Sequence, residues 1–135
     1  MKLKASLAVG IFAFFGGIFR YAIGLGLHPT AGFPYGTLCV NLIGAFGLPF
    51  LMRYIVVRYQ INDTLALAMG TGFLGAFTTF SSFSVDALKL MVASQWLPFG
   101  LYIGISLLGG VGLSLVADYW AVWLLDQQDK AQVLK

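Results

Sequence analysis

A chain of 135 residues that is 59% hydrophobic and 10% charged, with mean hydropathy +0.88, lies far outside the composition of a water-soluble globular domain. Its apolar residues form blocks long enough to cross a hydrocarbon layer of about 30 Å, so the expected fold is an all-α membrane protein in one domain, 1–135. The net charge of +3 does not point to nucleic acid, because the basic residues stand at the ends of apolar blocks and do not cluster with aromatics.

The first predicted span covers about 5–27. Lys2 and Lys4 ahead of it imitate a signal peptide, yet the block continues past Arg20 to Leu27 without a clear small-residue cleavage site, so a retained helix is expected. Arg20 sits two helical turns from the end of this span, where its stem can snorkel to the interface or its charge can attract an anion. The span stops at His28-Pro29-Thr30-Ala31-Gly32, a turn-forming string. His28 is the sole histidine and has no neighbouring metal-ligand or nucleophile pattern, so it is expected to face solvent and the chain is not expected to be an enzyme.

The second span, about 35–57, carries Thr37 and Asn41 one turn apart on the same face. An unpaired amide at this depth costs about 1 to 3 kcal/mol, so Asn41 either hydrogen-bonds a neighbouring helix or lines a hydrated path. Cys39 is read as a small packing residue, and a lone cysteine makes no intramolecular disulfide. Arg53, Arg58, Asn62 and Asp63 mark a polar connection.

The third span is expected over about 65–85, ending at Asp86 and Lys89. Its centre, Gly70-Thr71-Gly72-Phe73-Leu74-Gly75-Ala76-Phe77-Thr78-Thr79-Phe80-Ser81-Ser82-Phe83-Ser84, is a poor continuous helix. Glycine and β-branched threonine lose helix propensity, and serine and threonine compete for backbone bonds. A break at membrane depth must be buried in protein or face a watery cavity, where its carbonyls can bind a cation and its helix ends can attract an anion. Phe77, Phe80 and Phe83 step by three, so they pack as ordinary aromatics or present electropositive ring edges to a small anion.

The fourth span, about 97–117, opens at Trp96 and Pro98. Tyr102, Ser106, Gly110 and Ser114 recur every four residues and form a polar track along one side. Trp120 and Trp123 suit an interfacial belt, and the tail from Asp126 is expected to fray. Glycines recur in the spans as small residues that let helices approach, including the Gly100/Gly104 pair. With four spans, Lys2, Lys4, Arg53, Arg58, Lys130 and Lys135 share one side against Arg20 and Lys89, which favours termini inside. No nucleotide-binding motif and no carboxylate within the main spans are found, so neither hydrolysis nor proton coupling has an evident carrier.

Gly16-Gly17-Ile18-Phe19-Arg20-Tyr21, Gly36-Thr37-Leu38-Cys39-Val40-Asn41-Leu42-Ile43-Gly44 and Gly72-Phe73-Leu74-Gly75-Ala76-Phe77-Thr78-Thr79-Phe80-Ser81-Ser82-Phe83 together resemble the bacterial Fluc (CrcB) fluoride channels. The blocks come in the family's order over nearly the whole chain, and the third is the most specific. The resemblance implies an antiparallel homodimer in the bacterial inner membrane that exports fluoride passively, with two narrow pores. Phe80 and Phe83 match the phenylalanines that meet fluoride with their ring edges, Asn41 the pore asparagine, and Arg20 the arginine near the aqueous vestibule. Gly75 and Thr78 match positions whose carbonyls, from both subunits, hold a structural sodium ion (Na+). Thr37, Thr79, Ser82, Tyr102 and Ser106 would join the anion path, with Ser82 standing where the family has threonine. Two other readings are a small dimeric drug-cation exporter, which would need an acidic residue in the first span where this chain has Arg20, and a non-transporting membrane scaffold.

Overall fold

A computed structural model describes residues 2–27 and 32–133; His28 lies outside them. α1 (Lys2–Gly26) is one uninterrupted helix. α2 (Tyr35–Arg58) contains a π-helical turn, Leu51–Ile55, two residues after Pro49, which cannot donate a helical bond. α3 (63–77) starts on Asn62, whose side chain accepts a hydrogen bond from the Leu65 amide at 3.0 Å, and is π-helical over Ala68–Leu74. The glycine-rich stretch therefore stays helical, in a wider turn. Thr78 and Thr79 are extended (ψ 160° and 121°), and α4 (Phe80–Val92) resumes beyond them. α5 (96–133) includes a third π-helical turn, Ile105–Gly109.

Among the described residues four stretches are long and apolar enough to cross a membrane: α1, α2, α3 with α4, and α5. Two differ in extent from the expectation. The third continues through Asp86 to Val92, because Asp86 is not a solvent-facing terminus: Thr37 Oγ1 donates to its carboxylate at 2.6 Å from α2. The helix of the fourth does not end near Ala117 or fray at Asp126 but reaches Val133. Gln128 Nε2 donates to the Tyr54 hydroxyl at 2.8 Å, and Lys130 pairs with Asp126 at 2.6 Å one turn away, so the extension is tied to α2 and to itself.

α1 lies along the 68–77 part of α3, and α2 lies along the 110–133 part of α5. Glycine makes the first contact possible: a Cβ on Gly72 would stand 2.6 Å from the Val9 carbonyl oxygen, and one on Gly16 would collide with the Phe73 carbonyl. Backbone thus meets backbone where no hydrophobic force draws helices together. α4 packs on the start of α5, and Leu38, Ala87, Leu90 and Tyr102 form a small buried core between them and α2. Much of the remaining apolar surface is exposed, as on Phe14, Leu108 and Leu115, which suits contact with lipid.

Candidate functional site

The extended pair Thr78-Thr79 releases backbone groups at membrane depth, and their new partners define the site. In a continuous helix the Thr79 amide would bond the Gly75 carbonyl. Here it donates to Asn41 Oδ1 at 2.8 Å, while Asn41 Nδ2 donates to the Thr79 carbonyl at 3.0 Å. The Ser82 amide, the helical partner of the Thr78 carbonyl, donates instead to Thr79 Oγ1 at 3.1 Å, which caps α4. Ser82 and Ser81 hydroxyls also meet Thr79 Oγ1, at 3.1 and 3.2 Å. The Gly75 and Thr78 carbonyls are thereby among those that lose their intrahelical donors at the interruption.

Both lie on an open groove of about 590 Å³ between α2, α3, α4 and α5. Its polar contributors are Asn41, Thr71, Thr78, Thr79 and Ser106, beside Phe80 and Phe83, and no ionisable side chain lines it. Phe80 is 80% exposed and projects from the chain, its ring 5.8 Å from that of Phe83. Phe83 in turn packs on Tyr102 at 5.2 Å between centroids. Phe77 does not join this row; it is buried and stacks on Phe73 at 6.0 Å.

Among the described residues the buried Ser106 hydroxyl has no hydrogen-bond partner, and the buried Tyr102 hydroxyl has only Thr37 close by, so this part of the α5 track can still bind a guest or water. Thr37 and Asp86 lie beside the Tyr102 hydroxyl, which extends the polar seam from the groove toward the end of α4. Lys89 Nζ stands 3.8 Å from the same carboxylate. Arg20 does not line the groove; it is half-buried on the far part of α1. The remaining expected residues, Asn41, Thr37, Thr79, Ser82, Phe80, Phe83, Tyr102 and Ser106, fall along one continuous seam.

Sequence reasoning missed Asp86, because a carboxylate near a span end reads as a boundary marker and its partner is 49 residues away. It also missed the reciprocal Asn41–Thr79 pairing, for which 38 residues of separation leave no local trace. The Thr79 cap had a signal in a threonine placed immediately before the apolar Phe80 at the suspected break.

Were a sodium ion bound at the interruption, the Gly75 and Thr78 carbonyls would supply neutral oxygen ligands of the kind hard cations take. Among the described residues no group of three or more His, Cys, Asp or Glu side chains offers a different metal site.

Fold and seam together define a small multi-pass membrane protein with an uncharged polar groove at the level of a helix interruption. The chain belongs to the CrcB family: the family model described as CrcB-like protein, Camphor Resistance (CrcB), matches residues 7–117. It is 68% identical over 133 residues to "Fluoride-specific ion channel FluC 1" of Latilactobacillus sakei, covering 98% of each chain. It is 47% identical over 105 residues to "Fluoride-specific ion channel FluC 2" of Listeria monocytogenes, covering 78% of this chain and 81% of the relative. A third relative, "Fluoride-specific ion channel FluC 1" of Bacillus cereus, is 41% identical over 116 residues, covering 84% and 85%.

Proposed function

We propose that this chain is a fluoride-selective channel that lets the anion leave a bacterial cell passively, relieving fluoride toxicity. The relatives' names supply the ion. The observation that carries the reading is the composition of the groove: hydroxyls, one amide and two phenyl rings, without a cation or a carboxylate. A fixed lysine would hold a small anion too tightly to release it, whereas hydroxyl donors and ring edges replace part of its hydration shell and let it go. Asn41 acts chiefly as the clamp that keeps the interruption in shape, since both ends of its amide are occupied by Thr79.

The groove is open along one side, so one chain does not enclose a pathway. A second copy, antiparallel, would cover it and bring two pairs of Gly75 and Thr78 carbonyls together around a structural sodium ion. A drug-cation exporter is not favoured, because that chemistry needs an acid in the groove and none lines it.

Purified protein in liposomes loaded with potassium fluoride tests the reading. Efflux should start only when a potassium ionophore relieves the charge imbalance. Chloride leaving as fast as fluoride, or efflux that requires a proton gradient, would overturn it.

A further inference from the structure

On the other side of the α2–α3 pair, Phe12, Gly47, Phe50, Ile55, Met69 and Phe73 line a second groove, of about 410 Å³. Its walls carry no hydroxyl, amide or ionisable side chain, in contrast to the first. A polar groove in a membrane must be met by protein or water, whereas an apolar one needs nothing but hydrocarbon. The α2 wall runs from Gly47 to Ile55, a rise of about 12 Å. A single chain of methylenes fits that length better than the broad side of a helix.

What stands at the mouth narrows the occupant further. Gly47, Leu51 and Ile55 step by four along α2, and Arg58 follows one turn later on the same stripe, at the end of the span. Arg58 is exposed and lies over the Tyr59 ring at 5.5 Å, with no ion pair among the described residues. Lys4, also exposed, is at the same end of the bundle on α1. Of the other charges at this end, Arg53 is paired with Asp118 at 3.3 Å and Lys130 with Asp126 at 2.6 Å, Asp63 lies in the first turn of α3, and Asp129 stands near the end of α5. An apolar slot that leads to free basic side chains at the headgroup level matches an anionic lipid.

We propose that this groove seats one acyl chain of an anionic phospholipid whose phosphate rests against Arg58, with Lys4 reinforcing the positive rim. The site is separate from the fluoride seam, so neither claim depends on the other.

Native mass spectrometry of the full chain, extracted from vesicles of equal phosphatidylglycerol and phosphatidylcholine, tests it. The wild type should retain phosphatidylglycerol several-fold over phosphatidylcholine. Arg58→Gln should bring that ratio close to one while fluoride efflux is unchanged. Gly47→Leu should lower retention of both lipids at least threefold, since its first added atom meets Leu74 at an ordinary 3.5 Å and the rest fills the slot. If Gly47→Leu fails to fold, Met69→Trp fills the same groove from α3. No headgroup preference in the wild type, an unchanged ratio in Arg58→Gln, or full retention in a folded groove-filling variant would overturn the proposal. So would a photoreactive label on Phe50→Cys, in a Cys39→Ser background, that transfers to a second chain and not to lipid.

Discussion

Asn41 makes two hydrogen bonds that demand a donor and an acceptor on one short planar group, and only an amide supplies both. Asn41→Asp retains an oxygen to accept from the Thr79 amide but turns its other oxygen toward the Thr79 carbonyl at 3.0 Å. Fluoride efflux should fall at neutral pH and recover as the pH is lowered, because a protonated carboxyl regains the missing donor; a pH-independent loss would contradict this. Asn41→Ala has no such rescue and should lower stability by about 1 to 3 kcal/mol, read from thermal unfolding in detergent. The two phenylalanines separate in the same assays. Within one chain Phe80 is 80% exposed and meets the Phe83 ring, so Phe80→Ile should cut efflux and lower the melting temperature less than Phe83→Ile, which also loses its packing on Tyr102 and should cost up to about 1.5 kcal/mol. Equal melting temperatures in the two variants would refute the distinction.

At the level of elements, the third span shows what a sequence can and cannot reveal. Low helix propensity over residues 70–84 pointed to an interruption, but glycine alone does not say where: Gly70, Gly72 and Gly75 remain helical, and the extended backbone falls on Thr78 and Thr79. The choice is favoured by a tertiary partner, Asn41 from α2, and by the local Thr79 cap, which satisfy the Thr79 and Ser82 amides freed there. Likewise, small residues announced close helix contact without saying which of them make it. A Cβ on Gly16 or Gly72 would strike the backbone of the facing helix, while one on Gly17, Gly24, Gly100 or Gly104 would meet nothing within 4 Å. The Gly100/Gly104 pair therefore makes no close helix approach among the described residues. Gly72→Ala should push α1 off α3 at a cost of about 1 to 3 kcal/mol, while Gly17→Ala should be neutral. Thermal unfolding of the two variants side by side checks this, and equal melting temperatures would show that the α1–α3 approach is less tight than described.

For the whole molecule, the polar groove is the unfinished surface: the Gly75 and Thr78 carbonyls, the Ser106 hydroxyl and the exposed Phe80 ring cannot all face lipid. An antiparallel pair about an axis in the membrane plane would bury all four at once and set the two interruptions against each other. If the carbonyls of both copies hold sodium, the ion stabilises the pair by mass action, by about 2.7 kcal/mol at a hundredfold excess over its dissociation constant. Exchanging sodium for a bulky organic cation should therefore lower the melting temperature of the wild type by several degrees. The same exchange should leave Asn41→Ala almost unmoved, because without the clamp the Thr79 amide is free to return to the Gly75 carbonyl. A wild type whose melting is indifferent to sodium would remove the ion from the pair. Orientation is read independently by placing a cysteine at Gln127 in a Cys39→Ser background and labelling intact vesicles with an impermeant reagent. Antiparallel pairs of a single chain require about half of the cysteines to react from each face; labelling from one face alone would exclude that assembly.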